Sequence, residues 1–447
     1  MSAVSRGTWK SNTGFILAAV GGAVGLGNLW GFSYSASQGG GAAFVVLYLF
    51  FVLSVGLPVL TAELVIGRHT GQSPIRAMGA IASRWKWLGV VFVAVGFGIL
   101  SFYSVIMGWT GRMLLDFALG WVPSDTGTYF GQISEGGDAV FAHALGMILT
   151  ILIIAGGVQH GIERVAVVLM PVLFLLLIGL AIWAATLSGA GAGYGFYLKP
   201  DFSAVFRQPT VTGAAGQAFF SLSLGMGAMI TYASYLGGKG SIPGKAVAIA
   251  GADTLVAFVG GMVTFPIIFH FDLLADVNES TIGALFIAVP RGFLEMSFAG
   301  RLVGTFFFLA LYIAAITSAI SLLEVCTSAF IDSLGWERKK TAWILGILIA
   351  IAGMPSALST EWVGFLFALL GQVFLIFGGL MLALITGYFW SGTALEELRR
   401  GFDSAALATL WIWLLRTVVP LALLVVLYFS ISQTVIPAAK ALFGASS

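Results

Sequence analysis

The chain has 447 residues, of which 59% are hydrophobic and only 9% charged, and its formal net charge is +2. Soluble domains carry roughly a quarter of charged residues, so an ordinary water-soluble globule is excluded, and so small a net charge gives nucleic acid no electrostatic footing. A single cysteine, Cys326, rules out a disulfide framework within the chain.

Apolar runs recur from end to end, each long enough to cross a hydrocarbon core of about 30 Å as a helix. Between their charged and turn-rich breaks they predict eleven membrane helices, at 13–37, 42–67, 88–118, 139–157, 165–188, 214–236, 244–270, 301–332, 341–355, 362–391 and 407–433. A β-barrel would show ~10-residue alternating segments instead, so the expected class is an all-α membrane protein. No small-residue cleavage pattern follows the first run, and the sequence reads as starting at Met1. With the N-terminus inside, most of the 21 Lys and Arg fall on the cytoplasmic side, the bias expected of a multi-pass protein of a cell (inner or plasma) membrane. An odd helix count then puts Ser447 outside. The connections 121–138 and 272–300, rich in Gly, Ser and Asp, read as external lids.

The first span contains "AAVGGAVGLGN". Each glycine costs about 1 kcal/mol in a helix interior relative to alanine, so Gly21, Gly22, Gly25 and Gly27 weaken one helix repeatedly. Such weakness suits unwinding, which frees carbonyls for a cation and N–H groups for an anion; the Gly21/Gly25 spacing equally suits close helix packing. Asn28 favours the former, because a buried amide directly after the glycines offers an oxygen and needs a partner. The sixth span contains "SLSLGMGAMI". Two glycine-interrupted spans five helices apart point to an inverted-repeat transporter whose broken helices face each other at the midplane. The expected units are an N-terminal gate segment (1–12), a first repeat of five helices (13–188), an external loop with the second repeat (189–391), and the last helix with the C-terminus (392–447). In the seventh span, Asp253 lies within "VAIAGADTLVAFVGG", where an acid is costly and signals function.

The strings "GFILAAVGGAVGLGNLWGFSY", "GGGAAFVVLYLFFVLSVGLPVLTAELVIGR", "FFSLSLGMGAMITYASYL" and "AAITSAISLLE", in that order, resemble the neurotransmitter:sodium symporter family. The resemblance implies the LeuT fold, with a 5+5 inverted repeat and broken helices 1 and 6. It also implies a sodium-coupled symporter that imports an amino acid by alternating access, with two sodium ions. By similarity, one ion meets backbone oxygens of Gly21, Val24 and Ala314 with the hydroxyls of Thr317 and Ser318. The other meets Ala23, Asn28, Ser221 and Asp253 together with the substrate carboxylate. Many relatives have Asn at the position of Asp253, and chloride-dependent ones bring an anion close by; a carboxylate there implies chloride independence. The substrate carboxylate is expected at the N–H groups of Leu26 and Gly27 and the hydroxyl of Tyr103, and the amino group near Ala23, Phe220, Ser221 and Ser223. Gly25 leaves room where amine-carrying relatives place an Asp. Gly22, Ile99, Phe220, Met226, Ser318 and Leu322 complete an apolar pocket suited to a neutral, hydrophobic or aromatic amino acid.

The resemblance further implies a cytoplasmic gate of Arg6 and Asp332, with Tyr235 as a cation–π partner and Trp9 as a plug. Gly161 and Pro171 reproduce a spacing tied to unwinding of the fifth helix. Glu63 is expected to accept hydrogen bonds from backbone exposed by the sixth-helix break, and Glu324 is a further buried acid. Outside, the chain departs: "NLWGFSY" puts Gly31 and Ser33 where most relatives have Arg and Pro, and the tenth helix lacks the acidic partner over 364–390. External closure is then expected from Tyr103, Phe220 and the 272–300 lid. The alternative is a proton-coupled or sodium-independent amino-acid carrier on the same fold, with Asp253 titrating. The four histidines have no HxxxH spacing and no nucleophile–base grouping is evident, so no enzyme is expected. No oligomer is indicated.

Overall fold

A computed structural model describes residues 7–238, 240–279 and 281–443. Helices α1 (Asn12–Ala23) and α2 (Gly27–Gln38) form one span bent by 58°. The chain continues through α3 (Ala42–Thr70), α4 (Ser83–Leu119), α5 (Gly137–Ala155) and α6 (Val158–Ala184). Two short helices, α7 (Gln208–Ser221) and α8 (Ala228–Ala233), occupy the sixth predicted span. Then follow α9 (Ile242–His270), α10 (Ser297–Leu334), α11 (Arg338–Leu358), α12 (Thr360–Phe389) and α13 (Ala405–Lys440). The fold is all-α, as the apolar runs require: in hydrocarbon every backbone N–H and C=O has to be satisfied within the segment.

Burial sorts the helices into layers. The apolar window of α10 is 83% buried, against 28% for α6. Consequently α10, packed along α4, forms the centre, while Leu175, Ile178 and Ile182 of α6 point outward, as lipid-facing side chains do.

Both breaks have local causes. At Val24 the backbone leaves the helical region (φ −66°, ψ 116°), although its N–H still reaches Val20 O at 2.7 Å. The chain restarts with half of a capping box: Asn28 Oδ1 accepts the Gly25 N–H at 2.9 Å, while the Asn28 N–H makes a backbone turn bond to Gly25 O at 3.1 Å. In the sixth span three residues take positive φ: Ser223 (52°), Gly225 (83°) and Gly227 (74°). Gly225 cannot be replaced without moving α12, because a Cβ there would lie 2.0 Å from Leu375 O. Glu63 of α3, fully buried, accepts the N–H groups of Gly225, Met229 and Ile230 at 2.8, 3.1 and 3.4 Å, as expected of it.

The structure corrects several boundaries. The 121–138 and 272–300 connections, expected as external lids, hold short helices, Thr126–Ser134 and Leu274–Glu279, Ala284–Ala288 and Val289–Glu295. Asp125 caps the first by accepting the Thr128 N–H at 3.0 Å; this bond, with the Thr128 hydroxyl, holds its carboxyl below the usual range. The fifth span begins at Val158, seven residues earlier than expected, because Gly157 (φ 86°) supplies the turn into it and the first residues wind as a π-helix. A further short helix, Ala190–Leu198, precedes α7.

Candidate functional site

The two breaks face each other around a small cavity. It is lined by Gly22, Ala23, Gly25, Gly27 and Asn28 of the first span, Ile99 and Tyr103 of α4, Phe220, Ser221, Ser223 and Met226 of the sixth, and Ser318 and Leu322 of α10. Leu375 of α12 completes the wall. Every expected pocket residue except Leu26 thus lines one space, and Leu26 touches its edge by donating its N–H to Tyr103 Oη at 3.3 Å. Among the described residues the lining contains no charged side chain. Ser318 and Tyr103 close on Gly25 rather than leaving open room beside it, since a Cβ there would stand 2.9 Å from Ser318 Oγ and 3.0 Å from Tyr103 Oη. Ser223 Oγ donates to Gly22 O at 3.1 Å and so ties the second break to the first.

At one edge of the cavity lies a fully buried polar knot. Asn28 Nδ2 donates to Ser221 Oγ and to Asp253 Oδ1, both at 2.7 Å, and Ser221 Oγ donates to Asp253 Oδ2 at 2.6 Å. The Tyr48 hydroxyl adds a longer bond to Ser221 at 3.4 Å, a neighbour the sequence did not single out. A carboxylate in so dry a place is tolerated because each oxygen accepts a hydrogen bond. Asn28 turns its nitrogen to the carboxylate and its oxygen to Gly25, so it is the amide's donor end that meets Asp253.

A second oxygen cluster joins the first break to α10. Ser318 Oγ donates to Val24 O at 2.9 Å, and Thr317 Oγ1 back-bonds to Ile313 O and Ala314 O at 3.0 and 3.1 Å. Gly21 closes on the same spot: a Cβ there would lie 3.2 Å from Thr317 Cβ. The five residues expected here are brought together, and all their donors are oxygens, the set a hard cation prefers.

On the N-terminal side, Trp9 donates from Nε1 to Tyr232 O at 2.9 Å and packs edge-on to Phe15, Tyr232 and Tyr235. Arg6 lies outside the described residues. Its expected partner Asp332 accepts the Ser73 N–H at 2.7 Å, at the start of the helix Pro74–Ile81. The expected contact of Tyr235 with Arg6 likewise falls outside the described residues. The Tyr235 hydroxyl donates to Glu324 Oε1 at 2.6 Å, and Arg338 clasps the same buried carboxylate through both terminal nitrogens, at 2.7 and 2.8 Å. Glu163, at the start of α6, holds the beginning of α1: it accepts the N–H groups of Lys10 and Ser11 and the Ser11 hydroxyl, at 2.7, 3.1 and 3.0 Å. Only a glycine fits opposite, since a Cβ on Gly14 would fall 1.8 Å from Glu163 Oε1.

On the far side, among the described residues, no ionic pair appears at Gly31. The nearest group to a Cβ there would be Gln217 Oε1 at 3.8 Å, and Gln217 Nε2 donates to Gly27 O at 2.8 Å. Phe220 instead meets Phe367 of α12 edge-on at 5.3 Å, and Phe367 in turn meets Phe102 at 6.4 Å. Leu375, Gln217, Phe367 and Glu163 were missed by sequence reasoning. Gln217 and Glu163 are polar groups in or beside apolar runs and carried a signal; Leu375 and Phe367 are two apolar residues among many in an apolar span and carried none.

The sequence profile of the Sodium:neurotransmitter symporter family matches residues 6–125 and 127–442. A sodium-dependent transporter of Bacillus subtilis is 35% identical over 94% of this chain and 96% of its own length. One from Methanocaldococcus jannaschii is 32% identical over 97% and 92%. The crystal structure of MhsT in complex with L-phenylalanine superposes with a TM-score of 0.86 at 40% identity, covering 95% of this chain and all of that one.

Proposed function

We propose, from the premise that this chain belongs to the sodium:neurotransmitter symporter family and has the LeuT fold, that it carries a neutral hydrophobic or aromatic amino acid across the membrane together with sodium. The observation that carries this reading is the cavity itself: an apolar, uncharged wall closed at one edge by the Asn28–Ser221–Asp253 knot and abutting the oxygen cluster of Val24, Thr317 and Ser318. A zwitterion suits that division. Its side chain takes the apolar wall, its carboxylate the backbone N–H groups at Leu26 and Gly27 beside Tyr103, and its ammonium the carbonyls and hydroxyls of Ala23, Phe220, Ser221 and Ser223. That MhsT binds L-phenylalanine supports an aromatic or bulky aliphatic side chain.

Two sodium ions are cargo in this scheme. The first enters between the Ala23 carbonyl, Asn28, Ser221 and Asp253, where the Asn28 amide has to rotate to present its oxygen. The second takes the Gly21, Val24 and Ala314 carbonyls with the Thr317 and Ser318 hydroxyls. Asp253 supplies a fixed negative charge beside the first ion, so chloride is not required. Trp9 closes the cytoplasmic side, with Glu324–Arg338–Tyr235 behind it; Phe220, Phe367 and Tyr103 close the outside without an ionic pair. Uptake of labelled phenylalanine into proteoliposomes tests the reading. It is expected to stop when sodium is replaced by potassium at fixed pH, and to continue when chloride is replaced by gluconate. Unchanged uptake in potassium would sink sodium coupling and favour a proton-coupled carrier, a reading that the buried Asp253 carboxylate keeps open.

A further inference from the structure

Ser321 has no part in the scheme above, yet it sits beside the cavity. It lies one turn beyond Ser318 on α10 and next to Leu322, both of which line the cavity. Its side chain is fully buried, and its Oγ makes no well-formed hydrogen bond, only a loose contact with the Tyr232 hydroxyl. A buried hydroxyl without a full partner costs free energy comparable to a lost hydrogen bond, so such a group calls for an explanation. Its neighbour in the first span is Gly22, which also lines the cavity; a Cβ on Gly22 would come within 2.8 Å of Ser321 Oγ and 3.5 Å of the Tyr232 ring. Any side chain at position 22 would therefore wall the hydroxyl off from the cavity, and glycine leaves it bare. The polar ends of the proposed amino acid are held further along, where Gly25 meets Ser318 and Tyr103 and Gly27 meets Phe220. What reaches Gly22 and Leu322 is the tip of the substrate's side chain.

We propose that Ser321 is a specificity-determining residue whose hydroxyl pairs with the ring hydroxyl of a phenolic amino acid, so that tyrosine is a substrate alongside phenylalanine. This assignment rests on the neutral amino-acid reading of the cavity and sharpens it. The Tyr232 hydroxyl lies beside Ser321 and is the second polar group that a phenol would meet. The physical reason for selectivity is the under-satisfied hydroxyl: phenylalanine leaves Ser321 with only its loose Tyr232 contact, whereas tyrosine gives it a full partner.

The test is displacement of labelled L-phenylalanine from purified protein in sodium, by unlabelled L-phenylalanine and by L-tyrosine. The wild-type protein is expected to bind tyrosine at least as tightly as phenylalanine. Ser321→Ala is expected to weaken tyrosine about three- to tenfold while leaving phenylalanine within twofold, the size of one net hydrogen bond. If Ser321→Ala does not yield monodisperse protein, Ser321→Cys, which keeps the shape with a slightly larger atom and weakens the donor, is expected to lower the tyrosine-to-phenylalanine affinity ratio in the same direction. Equal effects on both amino acids, or wild-type protein that binds phenylalanine and rejects tyrosine, would overturn the role of Ser321 while sparing the reading of the cavity. Binding of neither amino acid would overturn both.

Discussion

The two breaks that face each other across the cavity are built in opposite ways. The first is self-contained: Asn28, three residues on, returns its side chain to the Gly25 N–H, and the residues between need no left-handed backbone. The second is propped from outside, with three positive-φ residues in five and a buried carboxylate from another helix, Glu63, holding its freed N–H groups. The first break can therefore spend its remaining carbonyls on ligands, while the second is an architectural element that presents Phe220, Ser221 and Met226. Damage to the prop should destroy the fold; damage to the first break should spare the fold and destroy transport.

The largest effect is expected at Glu63. Glu63→Ala strands three buried N–H groups at about 1–3 kcal/mol each, enough to unfold a marginally stable protein, and should abolish the monodisperse peak in size-exclusion chromatography. A Glu63→Ala protein with wild-type melting temperature would break the contrast. Next comes Asp253→Asn, which keeps the size and removes the charge. Folded protein should be recovered in normal yield, while half-maximal sodium for uptake rises by about tenfold, a difference of ~1.4 kcal/mol in ion binding. Uptake by this variant should respond to chloride, and indifference to chloride would remove the role given to the carboxylate. Gly25→Ala puts a methyl group against Ser318 Oγ and Tyr103 Oη. Phenylalanine affinity should fall by about ten- to a hundredfold with the melting temperature nearly unchanged, as for a clash of roughly 1–3 kcal/mol confined to the pocket. The smallest effect is expected at Ser223→Gly. Releasing a non-glycine residue from φ 52° while losing one hydrogen bond to Gly22 O should leave stability within about 1 kcal/mol, read as a shift of a few degrees in melting temperature.

How far the sequence could be read follows the same contrast. The first break was legible because its signals are local: four glycines and one amide within eight residues announce both the weakness and the group that uses it. The pocket roster from Gly22 to Leu322 was legible only through the family resemblance, since Ile99 or Leu322 taken singly is one apolar residue among many. The partners of Tyr235, Glu163 and Phe220 were not legible, because each bond joins residues far apart in the chain. Tyr235, for example, gives its hydroxyl to Glu324, 89 positions further along the chain. Composition marked the 272–300 connection as an external lid without assigning it secondary structure, and most of it is helical.

By itself the sequence determined that this is an all-helical membrane protein with two weakened spans, because hydrocarbon forces backbone hydrogen bonds into helices and glycine withdraws that support locally. Tertiary structure alone decided which freed groups are spent internally and which are left for a ligand. Glu63, Gln217 and Asn28 take up the backbone and amide groups that would otherwise be stranded, while Gly22 and Ser321 keep a space and a hydroxyl open. That allocation depends on distances between helices, which no single stretch of sequence contains.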